Sequence, residues 1–117
     1  MDNQGETMLQ IIGNKKSMDT ARAERFAKER RIPYQFVDIT KRSLSEKEWR
    51  SILGSADDLY LLVDTESSFY RKNGYAWREY DPAEELIMHP ELLVMPVLRA
   101  GGRVHPGFSP EFIEENR

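Results

Sequence analysis

The side chains that could do chemistry in this chain are few, and one kind is missing. There is no cysteine, which excludes disulfides, thiolate metal sites and catalysis by the chain's own thiol. The two histidines, His89 and His105, each precede a proline and have no His, Cys or Asp at ligand spacing, so a metal site is not expected. Lys15, Lys16 and Arg22 gather around Ser17, where a helix begins. A helix start presents unpaired backbone N–H groups and a partial positive charge that can hold an anion. A capped helix with solvated lysines would read the same way. Residues 69–80 are dense in aromatic and basic side chains. Tyr75, Trp77, Arg78 and Tyr80 are types enriched at protein interfaces, and aromatics beside bases can stack on single-stranded nucleic acid. The plainer alternative puts Phe69 and Tyr70 in the core and lays Tyr75, Trp77 and Tyr80 over a long loop.

The elements that would position these residues follow from pattern. Residues 8–12 are a short apolar run ending at Gly13-Asn14, a buried strand followed by a turn. A helix follows, with Ala23, Phe26 and Ala27 on one face and Ser17 or Asp19 as its cap; Ile32-Pro33 closes it. Residues 34–38 alternate as a second strand. Ser43-Leu44-Ser45-Glu46 offers a capping box, Trp49, Ile52 and Leu53 a buried stripe, and Gly54 a stop. Strand-helix-strand-helix order predicts a parallel pair with a right-handed crossover. Tyr60-Leu61-Leu62-Val63 fits a strand on pattern alone. Asp81-Pro82 starts a helix that would bury Leu86 and Ile87 and end near His89. Pro96 cannot donate to a sheet ladder, so the strand after it begins at a special backbone position. Arg99 to Arg103, with Gly101-Gly102 between, signals a hairpin. Ser109-Pro110 starts a last helix with Phe112 and Ile113 facing inward.

Composition bounds the function. One domain accommodates 117 residues, read as residues 8–117 behind a flexible N-terminus at 1–7. A hydrophobic fraction of 39% with 32% charged residues describes a soluble globular chain. No apolar run approaches the ~18–20 residues of a membrane span. The polar, acidic start lacks the features of a secretory signal, so a cytoplasmic location is expected. A net charge of −3 does not attract nucleic acid by bulk charge.

Four segments, in order, resemble the arsenate reductase (ArsC-like) and Spx family of the thioredoxin-like superfamily. Ile11-Ile12-Gly13-Asn14-Lys15-Lys16-Ser17 resembles the family's first loop. Leu62-Val63-Asp64-Thr65 with Phe69-Tyr70 resembles its Leu-Leu-Arg-Thr stretch. His89 to Val97 resembles its His-Pro-x-Leu-x-x-Arg-Pro-Ile segment. Gly107-Phe108-Ser109-Pro110-Glu111 resembles the glycine and final helix in the form seen in Spx-type transcriptional regulators. The resemblance implies a thioredoxin-like α/β fold with a mixed sheet of about four strands, flanking helices and a helical insertion that includes residues 60–63. It also implies a cis bond before Pro96.

The departures from the family pattern bear on function. Ser17 stands at the nucleophilic cysteine, and Asp64, Met95 and Phe108 stand at the three arginines that hold the oxyanion. A serine hydroxyl does not ionise near neutral pH without a general base, and an aspartate in a clamp would repel arsenate. The expected function is therefore a redox-inactive protein-binding or regulatory module, with an unidentified protein partner and no cofactor. A second reading is a glutathione-dependent oxidoreductase or transferase that borrows the thiol of its ligand, docked at Lys15, Lys16, Ser17, Arg22 and Pro96. A third is a structural subunit without a ligand.

Overall fold

The computed structural model describes residues 8–117; the expected flexible stretch 1–7 lies outside the described residues. Strand β1 (Leu9–Gly13) is buried along its whole length, as a central strand covered on both faces requires. It lies between β2 (Tyr34–Asp38) and β3 (Val97–Ala100), with β4 (Arg103–Pro106) outermost, in the order β2-β1-β3-β4. β1 and β2 run parallel, with Gly13 opposite Asp38, and β3 runs antiparallel to β1 and β4. This is the mixed, four-stranded thioredoxin-like sheet.

Helix α1 (Met18–Glu29) makes the crossover between β1 and β2, buries Ala23 and Ala27, and is capped by Ser17 rather than Asp19. Arg31, at a left-handed φ of 58°, turns the chain out of it. Helix α2 (Glu46–Ser55) begins two residues later than the Ser43–Glu46 reading. Its capping box joins Ser45 to Glu48. Both spacings fit the pattern. The Ser45 register also puts Leu44 just before the cap and Trp49 at the fourth helical position, the two sites of a hydrophobic staple, and both are buried in one core cluster. Gly54 lies inside the last turn, and Ala56 is the C-terminal cap.

The middle of the chain is helical, as the resemblance implied. Residues Leu59–Leu62 form a 3₁₀ turn, and Val63 makes a single antiparallel bridge to Leu93. Helix α3 (Ser68–Lys72), a 3₁₀ turn at Tyr75–Trp77 and helix α4 (Pro82–Met88) follow. Asp81 caps α4, accepting from the N–H groups of Ala83 and Glu84. Leu86 is buried but Ile87 is 49% exposed, against expectation. The helix is only two turns long, and its inward stripe passes through Ala83 and Leu86, leaving Ile87 off it. Helix α5 (Pro110–Glu115) buries Phe112 and Ile113 as read from the sequence.

Two cores result, one on each face of the sheet. Ile12, Val37 and Val97 face Trp49, Ile52, Leu62, Leu86 and Leu92. Leu9, Ile11 and Leu98 face Ala23, Ala27, Phe112 and Ile113. The alternation along β1 assigns its side chains to the two cores.

Candidate functional site

The loop from β1 into α1 is built by close packing and local hydrogen bonds. A Cβ at Gly13 would sit 2.4 Å from Thr20 Oγ1, so only glycine lets β1 pass this close to the first turn of α1. Asn14 folds the loop. Its side-chain oxygen accepts from the Lys16 N–H at 2.7 Å, and its carbonyl accepts from the Ser17 N–H at 3.0 Å. Ser17 Oγ accepts from the Thr20 N–H at 3.2 Å. The neighbouring cations are mostly matched by acids: Lys15 lies 4.0 Å from Glu24 and over the Phe36 ring, and Arg22 bonds Asp19 at 3.0 Å. Glu24 also accepts from the Tyr34 hydroxyl at 2.9 Å. Lys16 is exposed.

The peptide bond between Met95 and Pro96 is cis. Pro96 is buried, and its carbonyl accepts from the Gly107 N–H at 2.7 Å. Beside it lies a cleft of about 410 Å³ lined by Asn14, Ile39, Thr40, Pro90, Glu91 and Met95. The parallel pairing of β1 and β2 assembles this cleft. Both strands end at the same level, and the Ile39 N–H donates to the Gly13 carbonyl at 3.0 Å. Ser17 and Pro96 themselves do not line it; Asn14, three residues before Ser17, and Met95, next to Pro96, do. Asp38 accepts from the Thr40 hydroxyl at 2.6 Å and N–H at 3.0 Å. The Thr40 hydroxyl bond is the largest cause holding the Asp38 carboxyl below the usual carboxylate range. Lys41 and Lys15 also act on Asp38, so with Glu91 in the lining this border carries charges of both signs.

Asp64 serves the backbone. Its N–H donates to the Leu92 carbonyl at 2.7 Å, and its carboxylate accepts from the Glu66 N–H at 2.9 Å in the turn before α3. Phe108 packs edge-on against Phe26 with centroids 5.9 Å apart, in the core on the far side of the sheet.

The aromatic loop divides. Tyr75 is 2% exposed, stacks on Tyr70 and donates its hydroxyl to Glu85 at 2.6 Å, so it is a core residue and offers no contact surface. Tyr80 is half-buried and meets Tyr60 and Tyr75 edge-on. Trp77 is 91% exposed, and the Arg78 guanidinium lies 4.0 Å over the Tyr75 ring. Of the four residues read as a partner surface, Trp77 and Arg78 face solvent.

Sequence reasoning missed Ile39, Thr40, Pro90 and Glu91 as cleft residues. Nothing in their types marks them, because strand pairing and the chain leading to Pro96 bring them together. It also missed a second groove of about 490 Å³ between α2 and α4, lined by Leu44, Trp49, Leu53 and Ile87 and sharing Pro90 with the cleft. Among the described residues no group of three His, Cys, Asp or Glu side chains could hold a metal ion.

No protein-family model matches the sequence, and no curated protein matches it. Solved structures do match the fold. An ArsC family related protein from Bacteroides fragilis superposes with a TM-score of 0.81 at 15% identity, covering 96% of this chain and 99% of that one. The arsenate reductase from Vibrio cholerae gives 0.77 at 16% identity, over 95% and 98%. An arsenate reductase (ArsC) related protein from Brucella melitensis gives 0.69 at 21%, over 92% of each chain. The chain has the thioredoxin-like fold of the ArsC-related proteins. On that ArsC-like scaffold, no described helix is long and apolar enough to cross a membrane.

Proposed function

We propose that this chain is a cytoplasmic, redox-inactive relative of the ArsC and Spx proteins that works by binding another protein. The observation that carries the proposal is the composition of the cleft. Asn14, Thr40, Glu91 and Met95 line it, where an oxyanion enzyme of this fold would need a thiolate and arginines. Ser17 supports the same reading, because its hydroxyl is occupied in capping α1 and the chain holds no thiol. A glutathione-dependent reading is weaker because Ser17 and Pro96, central to its expected dock, do not line the cleft. The partner contacts Met95 and Thr40 in the cleft, with Trp77 and Arg78 as an outlying contact.

The test combines an activity assay with partner capture. Arsenate turnover with glutathione and glutaredoxin is expected to stay at the heat-treated control, and Ser17→Cys alone is expected not to raise it. Capture from the native cell is expected to lose a defined partner with Met95→Arg and to weaken it with Trp77→Ala. Measurable turnover, or an unchanged set of captured partners with Met95→Arg, would overturn the proposal.

A further inference from the structure

The groove between α2 and α4 adjoins the cleft through Pro90 and holds about 490 Å³. Its apolar lining is Leu44, Trp49, Leu53, Ile87 and Pro90. Leu44 and Trp49 are buried, whereas Ile87 is 49% exposed and the next residue, Met88, 62%. Helix α4 therefore ends on two large apolar side chains that its own core does not take up.

The charge around α4 is one-sided. From three residues before the helix to three after it stand Glu79, Asp81, Glu84, Glu85 and Glu91, with no lysine or arginine among them. None of these acids belongs to an ion pair among the described residues. Asp81 caps α4 and Glu85 accepts from the Tyr75 hydroxyl. Glu79, Glu84 and Glu91 are left exposed. Glu84 lies one turn before Ile87 on α4, and Glu91 follows Pro90. On the α2 side the charges cancel, because Glu46 and Arg50 both line the groove and pair at 3.5 Å. Lys47 falls four residues before Ser51, which accepts from Arg99 of the sheet, and so belongs to another face of α2.

We propose that this groove receives one amphipathic helix of a partner protein, apolar where it enters between α2 and α4 and basic where it meets Glu84 and Glu91. The proposal rests on the reading of the chain as a protein-binding module. Backbone hydrogen bonding selects a helix. No residue of the edge strands β2 and β4 lines the groove, so an extended segment would find no ladder to join. A helix satisfies its own backbone and presents anchors at i, i+3 or i+4 and i+7. Charge selects the sequence: lysine or arginine beside those anchors faces the unpaired acids. A second copy docked α4 against α4 would bring like charges together, and nucleic acid or an anionic membrane would add more.

The test is selection from a display library of helical peptides whose flanking positions are free to be acidic, neutral or basic. The wild-type chain selects, and Ile87→Lys serves as the counter-selection. Peptides kept by the wild type and lost by Ile87→Lys are expected to carry apolar residues at helical spacing with lysine or arginine around them. The best of them is expected to shift the Trp49 indole N–H of the wild-type chain in a saturable way, and that of Trp77, which does not line the groove, less. Glu84→Lys with Glu91→Lys is expected to weaken it about tenfold. Enrichment of acidic or neutral peptides, no enrichment over Ile87→Lys, or a larger shift at Trp77 than at Trp49 overturns the proposal. Self-association of the wild-type chain that Ile87→Lys abolishes also overturns it, because the occupant would then be a second copy. The indole shifts come from the wild-type chain and stand even if Ile87→Lys does not fold. The cleft reading fails separately, since Met95 does not line the groove. Loss of the partner with Met95→Arg but no selected basic helix refutes this inference alone. A selected basic helix with every partner retained by Met95→Arg refutes the cleft reading alone.

Discussion

At the Gly13 end of β1 the charged side chains are matched by carboxylates or exposed, whereas at the Gln10 end a buried guanidinium, that of Arg99, is bonded only to the neutral side chains of Ser51 and Gln10. The first end is compact. Ser17 caps α1, Asn14 closes the loop, and Lys15 and Arg22 lean on carboxylates. The second end carries a positive charge bonded to neutral acceptors. In this fold the resemblance points to the first end as the place of chemistry. Here the charges of that end are matched or exposed, its Thr20 hydroxyl is the one buried side-chain polar atom without a partner among the described residues, and the guanidinium with only neutral acceptors lies at the other end. A functional position inherited with a fold thus need not be where a chain keeps its unmatched chemistry.

The largest effect is expected at the unmatched end. Arg99→Ala removes two charged hydrogen bonds and strands the buried Gln10 oxygen, at a cost of about 3 kcal/mol. Urea unfolding measures it, and a loss below about 1 kcal/mol would mean that Arg99 does not tie α2 to the sheet. At the compact end, Gly13→Ala drives a methyl into Thr20 and should cost about 2 kcal/mol by overpacking. Thr20→Ala in the same chain makes room, so the double variant should be more stable than the sum of the two singles implies. Additive losses would show that the close approach is not what requires glycine there.

Ser17→Ala should cost about 1 kcal/mol, the usual value of a lost cap, while Ser17→Asn should cost almost nothing. Partner capture should be unchanged in both. A binding loss without a stability loss would give Ser17 a functional role and reverse the comparison between the two ends.

The smallest effect concerns a charge that is matched, in contrast to Arg99. Arg42 grips Glu48 with two bonds of 2.9 Å, and Glu48 also accepts from the Ser45 N–H at 2.8 Å. The Arg42 bonds, first among the causes, lower the Glu48 carboxyl from 4.5 to about 2. Because the folded chain holds the proton more weakly than the unfolded chain, this stabilisation is complete above about pH 4.5 and is lost as pH falls toward 2. Arg42 is half-exposed, so the gain is screened to about 1 kcal/mol or less. Acid unfolding of Glu48→Gln should show a shallower slope across that window, and an unchanged slope would assign the acid sensitivity to other carboxylates.

Much of the fold was legible in local pattern. The run at β1, the 3.6-residue period of α1, the Asp81-Pro82 and Ser109-Pro110 helix starts and the glycine hairpin are each set by neighbours a few residues away. Local signals failed where two registers satisfied one rule. Ser43–Glu46 and Ser45–Glu48 both read as capping boxes, and packing of Leu44 with Trp49 favours the second. Ile87 was misread because a two-turn helix has room for only one inward stripe. Tyr75 was misread because its type gave no sign that Tyr70, Tyr80 and Glu85 would enclose it.

By itself, the sequence determined the element order outside residues 57–80, the absence of a thiol and the presence of serine, aspartate, methionine and phenylalanine at the four positions that the resemblance singles out. Those are properties of residue type and local spacing. Tertiary structure alone decided which side chains share a space. The cleft needed β1 and β2 to end at one level, so that Asn14 and Thr40 could face Met95. The Arg99 row needed residues 10, 35 and 99 to fall in register on three strands, each an isolated polar position in an otherwise ordinary segment. Strand register brings distant residues together through backbone hydrogen bonds that are indifferent to side-chain identity, and that is why no local pattern in the sequence announces it.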